Sequence, residues 1–384
     1  MTDKNKNGAL AGVRVIELVG LGPAPYCGQL LADMGADVIR IDRPGADVYL
    51  SHHRGKRSIA SDLRKDGAAD VVLSLVRDAD MLIEGLRPGV TERLGVGPDA
   101  CHAVNKKLVY GRMTGWGQSG PWSSMAGHDI NYISVTGALL AMGEKDRPPP
   151  PPLNLVGDFG GGSLFLLSGL IAALWKAERT GEGDVVDAAI VDGVNSMMGF
   201  IHSMAHVGRW TPRRQGNLLD GGAPFYRCYE TRDSGFMAVG CLEPQFFAEM
   251  LQRLEISPDD YGAQYDFAAW PAQHQKLAAR FAEKTRDEWA AIFDNSDACV
   301  TPALSYDEAA DHPQNAARRS VYSTDEATLP GAAPRFEKAQ NAVDDRVANH
   351  SAHAFELLKG AGYSADDIKA LIASEVVVAP KAAD

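Results

Sequence analysis

The chain has 384 residues, 45% hydrophobic and 23% charged, and its 38 Lys and Arg stand against 50 Asp and Glu for a net charge of −12. That length favours two or three domains, and the composition is too apolar for a disordered protein. The acidic balance argues against a general nucleic-acid binder but leaves room for a local basic patch around a small anion.

The opening residues, MTDKNKNGAL, lack the apolar core of a secretory signal. Residues 13–18 (VRVIEL) are apolar and β-branched, as in a buried parallel strand. A Gly/Pro loop over 20–25 follows, then helical spacing over 26–34 with Gly35 as its stop, then a second strand over 37–41. This βαβ unit predicts an α/β fold with right-handed crossovers. A helix over 66–77 and strands over 81–84 and 108–112 continue the pattern. Five prolines, 148–152, read as a short rigid polyproline II connector. Residues 163–179 form a long apolar helix whose apolar core, 163–175, is too short to span a bilayer. A strand over 184–189 and a Met-rich helix over 191–206 follow.

A second domain begins near residue 225. Residues 225–230 and 235–240 form a hairpin around TRDSG, followed by helices over 244–254, 273–283 and 286–293. The Pro-, Gly- and Thr-rich stretch 324–333 reads as a linker, and the tail ends in two short helices, one capped by Ser364 with Asp366 and Asp367 in its first turn. The five cysteines are odd in number and form no CxxC, so neither a disulfide framework nor a zinc site is indicated. The final PKAAD is neither a peroxisomal nor a prenylation signal, and a cytoplasmic protein is the expectation.

Several signals bear on chemistry. Gly20-Leu21-Gly22 follows a strand, and Asp42 lies where a ribose-binding acid would sit, but Pro25 occupies the third glycine position of a dinucleotide fingerprint and Pro23 removes a donor. Basic residues cluster early: Arg40, Arg43, Arg54, Lys56, Arg57, Arg64, Lys65, Arg87 and Arg93. Placed past strand ends, they suit an anionic ligand carrying phosphates. His128 in AGHDINY could be structural, and Asp158 in VGDFGGG could be a helix cap. The glycines after Asp158 would free N–H groups at a helix start, which, with the Asp158 N–H, could hold an oxyanion, and which would depress the Asp158 carboxyl below its ordinary value and so keep it ionised. His202 and His206 lack the glutamate of the zinc-protease pattern.

The strings LLADMGADVIRIDRP, GLRPGVTERLGVGP, GRMTGWGQSGP, GHDINYISVTG, PPLNLVGDFGGGS, DGGAPFYRCYE and CLEPQFF resemble the family III CoA-transferase superfamily, and within it the α-methylacyl-CoA racemase branch. The resemblance runs from about residue 10 to about residue 313. It implies a Rossmann-like large α/β domain (1–220, completed by a returning segment, 331–384), a small α+β domain (225–330) and an interlocked homodimer. It implies an acyl-CoA substrate and no separate cofactor. His128 and Asp158 would be the acid/base pair, with Glu243 hydrogen-bonded to the histidine. The CoA contacts it implies are Arg40; Ser61, Asp62, Leu63 and Arg64; Gly85, Leu86, Arg87, Pro88, Gly89 and Val90; Arg93; and Gly127, Asp129, Ile130, Asn131 and Tyr132. Arg64 stands where the family often carries lysine, and RFEKAQNA after Pro334 departs from the family's continuation.

The implied reaction is epimerisation at the α-carbon of 2-methylacyl-CoA thioesters by 1,1-proton transfer through an enolate. Such inversion needs one acid/base group on each face of the carbon. Two other functions remain: a CoA-transferase with Asp158 as nucleophile, and a module that binds CoA esters without turnover.

Overall fold

A computed structural model describes residues 7–18, 20–46, 50–325, 327–340 and 343–380. The terminal signals weighed above fall largely on residues 1–6 and 381–384, outside the described residues. The chain forms two units: one drawn from residues 1–136, 152–197 and 316–384, the other from 137–151 and 198–315. The run of prolines thus falls at a passage between units, with 148–151 in the second.

The first unit is built on six parallel strands: β1 (Arg14–Leu18), β2 (Asp37–Asp42), β3 (Arg57–Ala60), β4 (Met81–Glu84), β5 (Val109–Thr114) and β6 (Asp184–Ala189). Their order is β3-β2-β1-β4-β5-β6. Every residue of β2 and β4 is buried, so neither strand has a solvent face; in β2 this takes in the charged Asp37, Arg40 and Asp42 along with its apolar residues. The strand order reverses between β1 and β4. In open parallel sheets the crevice beyond the carboxyl ends at such a reversal is where ligands bind.

Three readings are corrected here. Strand β3 was hidden at the end of the basic string HHRGKRS. The stretch read as a linker contains a strand, Thr328–Pro330, paired with Val321–Ser323 through the buried Leu329. The apolar helix is also longer than its apolar core suggested. Leu155–Ser163 forms a π-helix that runs directly into the α-helix Leu164–Thr180. The combined Leu155–Thr180 is long and apolar enough to cross a membrane by length and composition. Its Leu166, Leu170, Ala173 and Ala177 are buried, and it packs on β5 and β6.

The tail closes one face of the sheet. Helices Ala354–Gly360 and Ala365–Ala373 follow one another, the second capped by Ser364, whose Oγ accepts the Asp367 N–H at 3.2 Å. Leu357, Leu358, Ile368, Val376 and Val377 join Ile16, Ile39, Ile59, Val72 and Leu82 in one core. Each such side chain contributes about 1.5–3 kcal/mol on burial.

The second unit has its own core of Phe225, Tyr229, Val239, Phe247, Trp270, Phe281 and Trp289. It carries an antiparallel sheet in which β7 (Tyr226–Glu230) and β8 (Phe236–Gly240) form the expected hairpin and β9 (Val300–Pro302), absent from the sequence reading, pairs with β8.

Candidate active site

A cavity of about 360 Å³ opens at the carboxyl ends of β1, β4 and β5. Its lining includes Leu21 and Gly22 after β1, Gly85 to Pro88 after β4, Thr114 to Trp116 around the end of β5, and Gly127, His128, Tyr132 and Asp158. The strand reversal creates the opening, and the loops beyond the strands furnish its walls.

His128 stands at the N-cap of the helix Asp129–Ser134, and its backbone N–H donates to Asn131 Oδ1 at 3.1 Å. That bond fixes the turn from which the exposed imidazole projects. Tyr132, one turn on, donates its hydroxyl to Gly127 O and lies edge-on to Trp116 with ring centroids 4.8 Å apart. The aromatic wall thus buttresses the loop that carries His128.

Asp158 sits within the π-helix, half-buried. The Ser163 hydroxyl donates to Pro23 O at 2.7 Å and approaches Asp158 O at 3.1 Å, tying this helix to the loop after β1. Gly22, at φ 68°, leaves the space the carboxylate needs: a Cβ there would lie 3.2 Å from Asp158 Oδ2. Two expectations fail at this residue. The Asp158 N–H is not free to hold an oxyanion, because it donates to Asp129 Oδ2 at 2.7 Å. Nor is the carboxyl held down. Burial first, and the Asp129 carboxylate second, push it up to about 6, against a hydrogen bond from Asn154 and the pull of His128.

The family model for CoA-transferase family III matches residues 10–348. The chain belongs to that family. It is 42% identical to the α-methylacyl-CoA racemase of Mus musculus over 377 residues, covering 97% of this chain and 98% of that protein. It is 40% identical to the α-methylacyl-CoA racemase of Homo sapiens over 376 residues, with the same coverage. A solved CaiB/BaiF family protein from Brucella suis shares the fold at a TM-score of 0.79 and 24% identity, covering 92% of this chain and 100% of that one.

The positions that the CoA-transferase III resemblance assigns to CoA fall into three groups. Gly85, Leu86, Arg87 and Pro88 line the cavity together with Gly127 and Tyr132, while Gly89 and Val90 lead into the short helix Val90–Arg93. Arg87, Arg93, Ile130 and Asn131 are exposed. Ser61 to Arg64 lie past β3, where the Ser61 hydroxyl donates to Val376 O at 2.8 Å and Leu63 packs on the core. Asp62 there is paired with Arg64, which holds its carboxyl down at about 2. Arg40 is buried, with Nη1 3.3 Å from Asp42 Oδ1. Asp129 is buried, and Glu243 stands exposed at the start of the helix Pro244–Arg253 in the second unit.

The basic cluster also resolves differently from its reading as one anion site. Arg54 is buried against Asp33 at 2.6 Å, and Lys56 against Glu17 at 2.7 Å. Arg57 opens β3 at its amino end, paired with Asp37 and Glu356. These three cations already have partners on other elements. Asp42, offered above as a ribose-binding acid, accepts the Ser58 hydroxyl at 2.6 Å and faces Arg40 and His350.

Sequence reasoning missed Asn154, whose i, i+4 spacing to Asp158 on an apolar helix is a readable signal, and Trp116. It also missed the support under the Gly85–Gly89 loop. The Leu86 N–H donates to Glu84 Oε2 at 2.6 Å, and Arg112 joins Glu84 at 3.0 Å to Glu92 at 2.8 Å. Burial pushes Glu84 up to about 7. Among the described residues no group of three or more His, Cys, Asp and Glu is arranged to hold a metal.

Proposed function

We propose that the chain epimerises the α-carbon of 2-methylacyl-CoA thioesters, with His128 and Asp158 as the two acid/base groups. The observation that carries this reading is that both line one cavity at the strand reversal; burial and the Asp129 carboxylate push the Asp158 carboxyl up to about 6. One group takes the α-proton, the electron pair of that C–H bond moves onto the thioester oxygen as an enolate, and the other group returns a proton to the opposite face. The pair therefore works with one proton between them, not with neutral histidine and ionised aspartate together. An aspartate at its ordinary 3.8 would hold that proton on the order of 10²-fold less often at pH 7 than one at about 6. The enolate oxygen needs donors other than the Asp158 N–H. In the helix after His128 the Asn131 N–H already donates to His128 O at 2.8 Å, which leaves the Asp129 and Ile130 N–H groups as the candidates, and one well-placed donor contributes about 3–4 kcal/mol.

The loop Gly85–Val90, with Arg87 and Arg93, is our candidate for binding the CoA portion. A homodimer is the working assembly we favour. The outer face of Leu164–Thr180 supports it by leaving Leu164, Phe165, Ile171 and Trp175 exposed, an apolar patch of the kind that mediates association. In that assembly the family resemblance assigns Glu243 to hold the imidazole.

The test is wash-in of solvent deuterium at the α-carbon of either epimer of a 2-methylacyl-CoA. Exchange should depend on both His128 and Asp158. Absence of exchange across a panel of chain lengths, with transfer of CoA to a free acid and trapping of Asp158 by hydroxylamine, would replace this reading with the transferase one.

A further inference from the structure

Asp129 follows His128 in the chain, yet the imidazole is exposed and the carboxylate beside it is buried. Burying a carboxylate is costly unless its oxygens find partners. Its Oδ2 accepts the Asp158 N–H at 2.7 Å across 29 residues of sequence. Its Oδ1 is buried without a hydrogen-bond partner among the described residues. The fit is tight, since a Cβ on Gly157 would come within 2.4 Å of Oδ2.

The geometry points to Asp129 as the positioning residue for Asp158: anchored next to the imidazole, it grips the backbone of the second acid/base group and so sets the spacing of the pair. This rests on the proton-transfer reading above. One side chain reaches both groups because it is covalently next to one and hydrogen-bonded to the other. A leucine there would leave the Asp158 N–H buried and unpaired. An asparagine would keep the bond and remove the charge.

The two losses have different signatures. Misplacing a reacting group by about 1 Å costs on the order of 10²-fold in rate. Removing a neighbouring negative charge eases ionisation of the carboxyl that remains, and the Asp129 charge is the second cause, after burial, of the raised Asp158 value. The other titratable groups near Asp158 are His128 and Tyr132, with Arg87 on the cavity wall. On the flank of the π-helix, the rings of Tyr26 and His52 pack on Phe159. Asp192, on the adjoining helix Ile190–Met197, is exposed. Asp129 is the one negative group among those that oppose ionisation of Asp158.

The experiment measures deuterium wash-in by the full-length protein across pH, wild type first. If wild type exchanges nothing, the proton-transfer reading falls and takes this inference with it. If it exchanges, Asp129→Asn should move the acid limb of kcat/KM down by at least about half a pH unit, a roughly threefold change in proton affinity, and lose less kcat than Asp129→Leu. Asp129→Leu should lose about 10- to 100-fold in kcat with KM changed less than about twofold. Gly157→Ala, which keeps Asp129 but crowds Oδ2 off the N–H, should lose kcat likewise. It stands in for any Asp129 variant that circular dichroism shows to be unfolded. An unmoved acid limb in Asp129→Asn, or wild-type kcat in folded Asp129→Leu or Gly157→Ala, overturns the assignment.

Discussion

Lowering the pH is the most direct perturbation of the proposed His128–Asp158 pair, which would share one proton. A second proton, bound by Asp158, halts both directions together, so both epimers should show one and the same acid limb. With Asp158 at about 6, its ionised fraction is ~90% at pH 7, half at pH 6 and ~10% at pH 5. We expect kcat/KM for α-proton exchange to fall about tenfold from its plateau by pH 5. An aspartate at its ordinary 3.8 would remain more than ~90% ionised there, so the two cases differ by close to tenfold at a single pH. The assay is initial-rate deuterium incorporation followed by mass spectrometry, with circular dichroism at each pH to show that the protein stays folded. A plateau extending unbroken below pH 5 would refute the claim that burial and Asp129 raise this carboxyl.

The same shift has a stability sign. Between 3.8 and about 6 the folded state holds a proton on Asp158 that the unfolded state has released, so stability is lost as pH rises through that window and stays lost above it. Asp158→Asn should therefore raise Tm at pH 8 and leave it nearly unchanged at pH 4, while abolishing exchange; calorimetry at the two pH values checks this. Breaking the buried Lys56–Glu17 pair with Lys56→Met should cost about 3–5 kcal/mol by stranding Glu17, and Lys56→Met with Glu17→Leu should recover most of it. Burial already raises the Glu17 carboxyl against the pull of Lys56. The Lys56→Met deficit should accordingly shrink as pH falls and Glu17 takes a proton, and denaturant unfolding at pH 5 and pH 8 reads the difference.

Five strands of the main sheet were legible, most of them through short apolar, often β-branched stretches buried on both faces, and β6, largely exposed, through its alternation. Strand β3 was not, because RSIA is short and begins in a basic string whose charges are paired with Asp33, Glu17, Asp37 and Glu356 on other elements. That is also why the basic cluster was misread: charge is local in sequence, whereas pairing is not. The proposed acid/base residues were legible through a family resemblance, and their environment was not. A glycine-rich GDFGGG carries no local mark of a π-helix. The Asp129 contact that raises Asp158 joins two segments 29 residues apart. Helical periodicity over 191–206 was real, but it spans two helices, Ile190–Met197 and Gly199–His206.

The docking of the tail has a consequence for biosynthesis. The last strand of the sheet leaves the ribosome with Ala189, yet Val376 and Val377, which seal the sheet beside β3, emerge nearly two hundred residues later. At about 5–20 residues per second that is an interval of roughly 10–40 s. Throughout it the growing polypeptide carries an unsealed greasy sheet face, exposed to aggregation, and a premature stop anywhere after the sheet is made would leave it so permanently.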